Sequence, residues 1–318
     1  MPKNTIHLQN AFYMGLFILQ VILTLTLERG FYQRMPLLVI LLLVTVYAGA
    51  KLLGQLTNIS LKNNKIKPLV PTLFAFMLLL IWESVVEGFS VSPVLMPAPT
   101  NIFIALISNI PMLWADFQQT YLKAVLAGYV IGCLSGFLVA QWAVNSEFLR
   151  NGLIPLGNFM SAIPIVGIAP IMVMWFGFDW QSKAAVIVVM TFFPMFINTL
   201  TGLQSTDALH RDLMHTYAAK PSQIFFKNQL PHALPFIFNA LKLNSALALI
   251  GAIVAEFFGT PIVGMGFRIS TEVGRMNMDL VWATIVVAAI AGSLSYGALA
   301  LLEKSLLFWH PAYRGNNR

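Results

Sequence analysis

The sequence predicts an all-α integral membrane protein with about eight transmembrane helices. Of its 318 residues, 58% are hydrophobic and only 10% are charged, and the mean hydropathy is +0.77. A soluble domain carries about 25% charged residues, so composition excludes a water-soluble globular fold. The apolar residues form runs of membrane-spanning length. The longest polar interval between two such runs, residues 206–235, has helical periodicity of its own and predicts a helix–turn–helix outside the bilayer.

The first 60 residues predict an N-terminal membrane hairpin. Its two apolar runs are Ala11–Leu27, which lacks the cleavage site of a secretory signal, and Pro36–Leu53. The stretch 51–67 then carries four lysines and no acid, which predicts a basic cytoplasmic linker at 61–69.

Residues 70–312 predict the main membrane domain, followed by a cytoplasmic tail at 313–318. Six apolar runs in this domain are the predicted spans: Val70–Val86, Tyr121–Val144, Leu153–Phe178, Ala184–Leu203, Pro235–Phe258 and Leu280–Leu302. Four prolines between the first two of these runs predict an external loop with a short amphipathic helix. Glycines recur at every fourth position, at Gly128, Gly132 and Gly136, and they either permit close helix packing or are merely tolerated.

Leu153–Phe178 is the least regular span, because Pro155, Pro164 and Pro170 interrupt it. Broken backbone at membrane depth is tolerated only when it is buried in protein or lines a wet cavity. The span is therefore either a pathway wall or a kinked structural helix. The candidate pathway residues are Asn158, Ser161, Pro164, Asn198 and Glu256. The polar ones could equally bond between helices, and Glu256 could instead anchor a helix end.

The distribution of charged residues predicts how the protein is oriented in the membrane. The net charge is +7 with a pI of about 9.6, which we attribute to basic cytoplasmic loops rather than to nucleic-acid binding. An even number of spans places both termini on one side. The Lys and Arg excess puts them, with residues 206–235, in the cytoplasm. Lys242 is expected to reach back to the cytoplasmic face, and Lys183 to anchor a helix at the external interface.

The 206–235 loop has a recognisable internal pattern. Leu209, Leu213 and Tyr217 recur every four residues and define one face of a helix, and the pattern breaks at 218–220. Pro221 suits the first turn of a second helix. Leu230-Pro231 is expected to close the unit before the next span.

This loop resembles the E-A-A-x₃-G-x₉-I-x-L-P loop of the permease subunits of binding-protein-dependent ABC importers, in particular the nitrate/sulfonate/taurine type. Asp212 takes the acidic position, Ala218 the glycine position, and Leu230-Pro231 the closing dipeptide. The chain departs from the motif at Leu213-Met214 and at Asn228. Alanine at position 218 is costly if the turn needs a positive φ. Weaker matches cover residues 97–100, 192–199 and 248–256.

The resemblance implies a permease that works as a homodimer with a second copy, two cytoplasmic ATPases and an external binding protein in a bacterial inner membrane. The loop residues implied to contact the ATPase or set the loop's angle are Asp212, Leu213, Tyr217, Ala218, Lys220, Pro221, Leu230 and Pro231. The implied solute is small and polar or anionic, or an aromatic vitamin precursor such as a pyrimidine or riboflavin.

The sequence predicts neither catalysis nor a cofactor in this chain. It has no G-x-x-x-x-G-K-[ST] motif, so ATP is expected on the partner subunit. It has no H-E-x-x-H motif, its histidines are scattered, and its single cysteine forms no metal site. A secondary transporter, which would need an ion-relay pair deep in the membrane, remains an alternative, as do a membrane-embedded enzyme and a scaffold.

Overall fold

The computed structural model describes residues 35–60, 68–259 and 262–309, and the regular elements in these ranges are all helices. The predicted span Ala11–Leu27 and most of the basic linker at 61–69 lie outside the described residues. The chain divides into two compact units. The first contains the described residues up to Ser108 together with Glu272–Ala283, and the second contains Asn109–Thr271 and the residues from Thr284 onward.

The first unit begins with α1 (Met35–Ser60), α2 (Leu69–Gly88) and the short α3 (Pro99–Ser108). α1 covers the predicted run Pro36–Leu53 and continues to Ser60, and α3 is the predicted short helix. The buried carboxylate of Glu83 accepts hydrogen bonds from the Thr100 N–H at 3.0 Å and from the Thr100 hydroxyl at 2.6 Å. These bonds fix the first turn of α3 to α2.

The remaining helices follow in chain order, with α10 and α11 running through the boundary between the units. They are α4 (Ile110–Val144), α5 (Glu147–Ala162), α6 (Ile165–Phe176), α7 (Trp180–Gln204), α8 (Ala208–Thr216), α9 (Pro221–Glu256), α10 (Met265–Gly274) and α11 (Met278–Leu306). Among the described residues, five helices are long and apolar enough to cross a membrane, and α5 with α6 makes a sixth as one broken span. The all-α membrane fold is thus confirmed, while the count of eight stays a prediction.

Two helices extend beyond the predicted spans, and prolines explain both extensions. α4 begins at Ile110 rather than at Tyr121, because Pro111 lies in its first turn, where a missing N–H costs nothing. Leu230-Pro231 does not close the loop unit, because α9 runs without interruption from Pro221 to Glu256. A π-helical turn at Phe225–Gln229 ends two residues before Pro231 and widens the helix where the proline ring would otherwise clash.

The predicted interruption of the fifth span is confirmed. α5 and α6 are bent by 103° at Ile163-Pro164, where both residues have extended backbone. Pro155 and Pro170 lie inside the two helices. α5 starts at Glu147, before the predicted span begins at Leu153, because the Ser146 hydroxyl accepts a hydrogen bond from Leu149 N–H at 3.3 Å and caps the helix.

α7 lies at the centre of the second unit, packed against α4 on one side and α9 on another. The glycines of α4 face α7, and Gly132 makes the closest approach. A Cβ added there would lie 2.0 Å from the Thr191 hydroxyl oxygen and 3.1 Å from the Val188 Cα. An added Cβ on Gly128 or Gly136 would lie 2.7 or 2.5 Å from a backbone carbonyl of α7. The glycine row therefore permits close helix packing, the first of the two interpretations.

This packing predicts that Gly132→Ala destabilises the chain by about 1–3 kcal/mol, since the added methyl group forces α4 and α7 apart. The thermal midpoint of the detergent-purified protein measures the effect. Gly297→Ala is the matched control, because a Cβ on Gly297 meets no atom within 4 Å. Equal midpoints for the two variants would contradict the close approach.

Candidate functional site

The helix of the 206–235 loop, α8, presents the predicted apolar row to solvent. The Asp207 side chain caps it by accepting a hydrogen bond from Leu209 N–H at 3.2 Å. Leu209, Leu213 and Tyr217 are 74%, 53% and 77% exposed, and Asp212 is exposed beside them. Two leucines and a tyrosine in one row on a capped helix form a surface suited to another protein.

The turn after α8 has the geometry for which glycine is usual. Ala218 has a φ of 48°. Its N–H donates to the His215 carbonyl at 2.9 Å, and the Ala219 N–H donates to the Met214 carbonyl at 3.0 Å. This pair of bonds is a Schellman motif, whose left-handed position Ala218 occupies. The turn therefore needs a positive φ, and alanine adopts it at a cost.

The far side of the turn is held by local bonds and by packing on α7. Lys220 N–H donates to the Gln223 side chain at 2.9 Å, and Pro221 begins α9. Leu230 and Pro231 are half-buried within α9, where Leu230 packs on the cluster that contains Leu203 and Ala233. The structure thus places six of the eight predicted loop residues on α8 and in the turn that follows it, and the last two, Leu230 and Pro231, within α9.

The predicted pathway residues that the structure describes lie in different settings. Asn158 and Pro164 are exposed on α5 and at the α5–α6 break, while the side chain of Ser161 lies outside the described part of the structure. Asn198 turns back on its own helix, donating to the Pro194 carbonyl at 2.8 Å. Glu256 lies at the far end of α9.

Glu256 makes the contacts of a helix anchor. Its side chain is only 3% exposed and accepts hydrogen bonds from the Thr120 hydroxyl at 2.7 Å and from Gly266 N–H at 2.6 Å. The same Thr120 hydroxyl accepts a bond from Met265 N–H at 2.7 Å. Three separate segments, in α4, α9 and the start of α10, therefore meet at this carboxylate.

A second buried carboxylate, Asp116, reinforces the same junction. Asp116 is fully buried, accepts from Gly264 N–H at 2.8 Å, and pairs with Arg268 at 2.8 Å. We call these interactions of Asp116, Thr120, Glu256, Gly264–Gly266 and Arg268 the outer-end network. Asp116 was not predicted as a site residue, although a single acidic residue in the apolar stretch 110–117 is a signal of a buried polar contact.

Lysine 183 is buried at the start of α7, and its predicted place at the membrane interface stays a prediction. It is 1% exposed, and its Nζ donates to the Phe178 and Asp179 carbonyls at 2.6 and 3.1 Å.

Desolvation acts to raise the pKa of the Asp179 carboxyl. Hydrogen bonds from Trp180 N–H and the Gln119 amide, with the nearby lysine charges, outweigh it and hold that pKa below its ordinary value.

Lysine 242 pairs with a carboxylate of α11. Its Nζ lies 2.7 Å from the Glu303 carboxylate, three residues before that helix ends at Leu306, and the reach of Lys242 toward the cytoplasmic face stays a prediction. Sequence reasoning found no such pair, because the two residues are separated by 61 positions.

Comparison with known proteins gives one family match and several relatives. The family model described as "Binding-protein-dependent transport system inner membrane component" matches residues 128–307. The chain is 32% identical to the formylaminopyrimidine transport permease protein ThiX of Halalkalibacterium halodurans, over 76% of this chain and 96% of the relative. It is 30% identical to the putative aliphatic sulfonates transport permease protein SsuC of Bacillus subtilis, over 75% and 87%. It is 28% identical to the riboflavin transport system permease protein RibX of Chloroflexus aurantiacus, over 73% and 87%.

The turn at Ala218 predicts that Ala218→Gly strengthens the Schellman motif by about 1 kcal/mol, because glycine adopts a positive φ freely. Hydrogen exchange at residues 217–219 should slow about fivefold. Ala219→Gly, one residue away and without a positive φ, should not slow it. Exchange at residue 218 that is no slower with glycine would show that the turn is unstrained.

The outer-end network predicts that Glu256→Ala lowers stability by about 2–5 kcal/mol, since it leaves buried donors without acceptors. Glu256→Gln keeps one acceptor and should cost less. Thermal unfolding measures both, with Glu147→Gln, whose side chain is 85% exposed, as the control. If Glu256→Ala unfolds with the control, the carboxylate is not a structural anchor.

Proposed function

The chain belongs to the family of inner-membrane components of binding-protein-dependent transport systems, and on this premise we propose that it is driven by separate ATPase subunits through the 206–235 loop. One observation carries the proposal. The exposed row of Leu209, Leu213 and Tyr217 lies on a capped helix between two membrane spans, α7 and α9. A groove on a soluble partner can receive such a helix.

The proposed mechanism is alternating access driven by movement of this loop. ATP binds and is hydrolysed on two partner subunits, since this chain has no phosphate-binding loop. Closure of the two ATPases draws the two loops together. Each α8 then shifts as a rigid body and tilts the spans to which it is joined. Asp212 and Lys220 flank the apolar row and set its charge complementarity, while the Ala218 turn fixes the angle between α8 and α9.

We place the loop and both termini in the cytoplasm of a bacterial cell. Lys and Arg side chains concentrate in the predicted inner segments, and the predicted external segments are mixed in sign. This orientation puts α8 where an ATPase can reach it. It also puts the outer-end network on the side from which a solute-binding protein would deliver.

We further propose that two copies enclose the solute pathway. The break at Ile163-Pro164 interrupts the regular helical hydrogen-bond pattern, and α5 and α6 are exposed along much of their length in a single chain. Lipid cannot satisfy such backbone, whereas a second copy around a wet cavity can. Asn158 and Pro164 then face the pathway, and Ser161 is proposed to join them.

The proposed solute is small and either anionic or heteroaromatic. The relatives are named for formylaminopyrimidine, aliphatic sulfonates and riboflavin. The solute-binding protein sets the choice among these classes. Binding measurements on the binding protein encoded beside this chain would identify the solute.

The intramembrane pair Lys242–Glu303 is the feature that favours a secondary transporter instead. A membrane-embedded metalloenzyme has less support, since the described residues contain no group of three or more His, Cys, Asp or Glu side chains that could hold a metal. Uptake by proteoliposomes that lack any ATPase would establish the secondary transporter and overturn the proposal.

The proposal predicts that Tyr217→Ala reduces ATP-driven uptake at least tenfold, because the largest side chain of the docking row is lost. The protein should remain in the membrane in normal amount. Uptake of radiolabelled solute into proteoliposomes that contain the ATPase subunits and the binding protein provides the measurement. Phe103→Ala removes another exposed aromatic side chain, from α3, and serves as the control, with uptake unchanged.

A normal uptake rate for Tyr217→Ala would remove this residue from the coupling surface. Normal uptake for Tyr217→Ala combined with Leu213→Ala would overturn the assignment of the loop.

A further inference from the structure

We infer that the ion pair between Lys242 and Glu303 makes the last span, α11, follow α9 during transport, so that both are positioning residues. The inference rests on the proposed function, because it concerns movement that enters through the 206–235 loop. It adds a role for two charged residues that lie outside that loop and outside the α5–α6 break.

The pair is short and mostly shielded. Lys242 Nζ lies 2.7 Å from Glu303 Oε2, and the side chains are 18% and 9% exposed. Lys242 lies on α9, about 32 Å along the helix axis from Pro221 at 1.5 Å per residue. Glu303 lies one turn before α11 ends at Leu306. The pair therefore joins the inner part of α11 to the helix that begins at the loop's turn.

Helix α11 has few other buried residues within the second unit, and one of them, Ala288, packs in an apolar cluster with Val125 of α4 and Ala248 of α9. In its most apolar stretch only 11% of the residues are buried, against 50% for α9. Within the second unit, a hydrogen bond between the Tyr121 and Ser295 hydroxyl groups provides another polar contact. Ser295 and Glu303 are about 12 Å apart along α11. Polar contacts thus hold α11 to α4 at Ser295 and to α9 at Glu303.

An ion pair suits the transmission of movement better than apolar contact does. Apolar side chains in lipid slide past one another at little cost, because lipid tails replace the lost contacts. A lone charge among membrane spans has no such replacement, so separating Lys242 from Glu303 is strongly opposed. When α9 tilts, Glu303 must therefore move with Lys242. The two residues act by setting the position of α11, and the proposal requires no contact between them and the solute.

The test compares single and swapped charges in proteoliposomes that contain the ATPase subunits and the binding protein. The variants are Lys242→Met, Glu303→Gln and the swap of Lys242→Glu with Glu303→Lys. Lys304→Met is the matched control, because it removes an exposed charge directly beside Glu303. The measured quantity is solute imported per ATP hydrolysed, which a loss of folded protein alone does not change.

We expect each single variant to lower solute imported per ATP at least fivefold, and the swap to restore it to within twofold of the unaltered protein. The control should match the unaltered protein. Single variants that keep the normal ratio, or a swap no better than the single variants, would overturn the inference. Absence of ATP-driven import by the unaltered protein would instead overturn the proposed function, so the two failures are distinguishable.

Discussion

The burial of two carboxylates at one end of the bundle is the constraint on which the second unit depends. Neither Asp116 nor Glu256 is solvated by water, so each must receive its hydrogen bonds from the protein. The donors come from α4, from the backbone of residues 264–266 and from Arg268, segments far apart in the chain. Satisfying the two acids therefore fixes where α4, α9 and the start of α10 meet.

At the opposite end of the unit, hydrogen bonds between residues close in the chain hold the structure, rather than buried charges. The loop there is built from local bonds: the Asp207 cap, the Schellman motif at Ala218 and the bond from Lys220 N–H to Gln223. Local bonds hold the shape of the loop without burying its apolar row. An end fixed by buried carboxylates and an exposed, locally ordered loop at the other end together form an arrangement in which a protein bound to the loop could move the helices.

Hydrophobic runs and periodicity were sufficient to predict the all-α membrane fold, the helix at 208–216 and the break in the fifth span. Prolines misled at two helix boundaries, because Pro111 lies in the first turn of α4 and Pro231 lies inside α9 rather than closing the loop. The partners of buried charges could not be predicted. Asp116 and Arg268 are separated by 152 positions, and only the packing of the helices brings them together. The family motif indicated the loop but carried no information on Lys242 and Glu303.

Helix α9 is far longer than a bilayer requires. Its 36 residues span about 54 Å, whereas the hydrocarbon core is about 30 Å thick. The buried carboxylate of Glu256 holds one end, and the length of the helix toward Pro221 exceeds that thickness. The helix can therefore act as a lever that turns about its Glu256 end. A sideways force at Pro221 acts with the full length of that arm, so a modest push becomes a large torque on the spans.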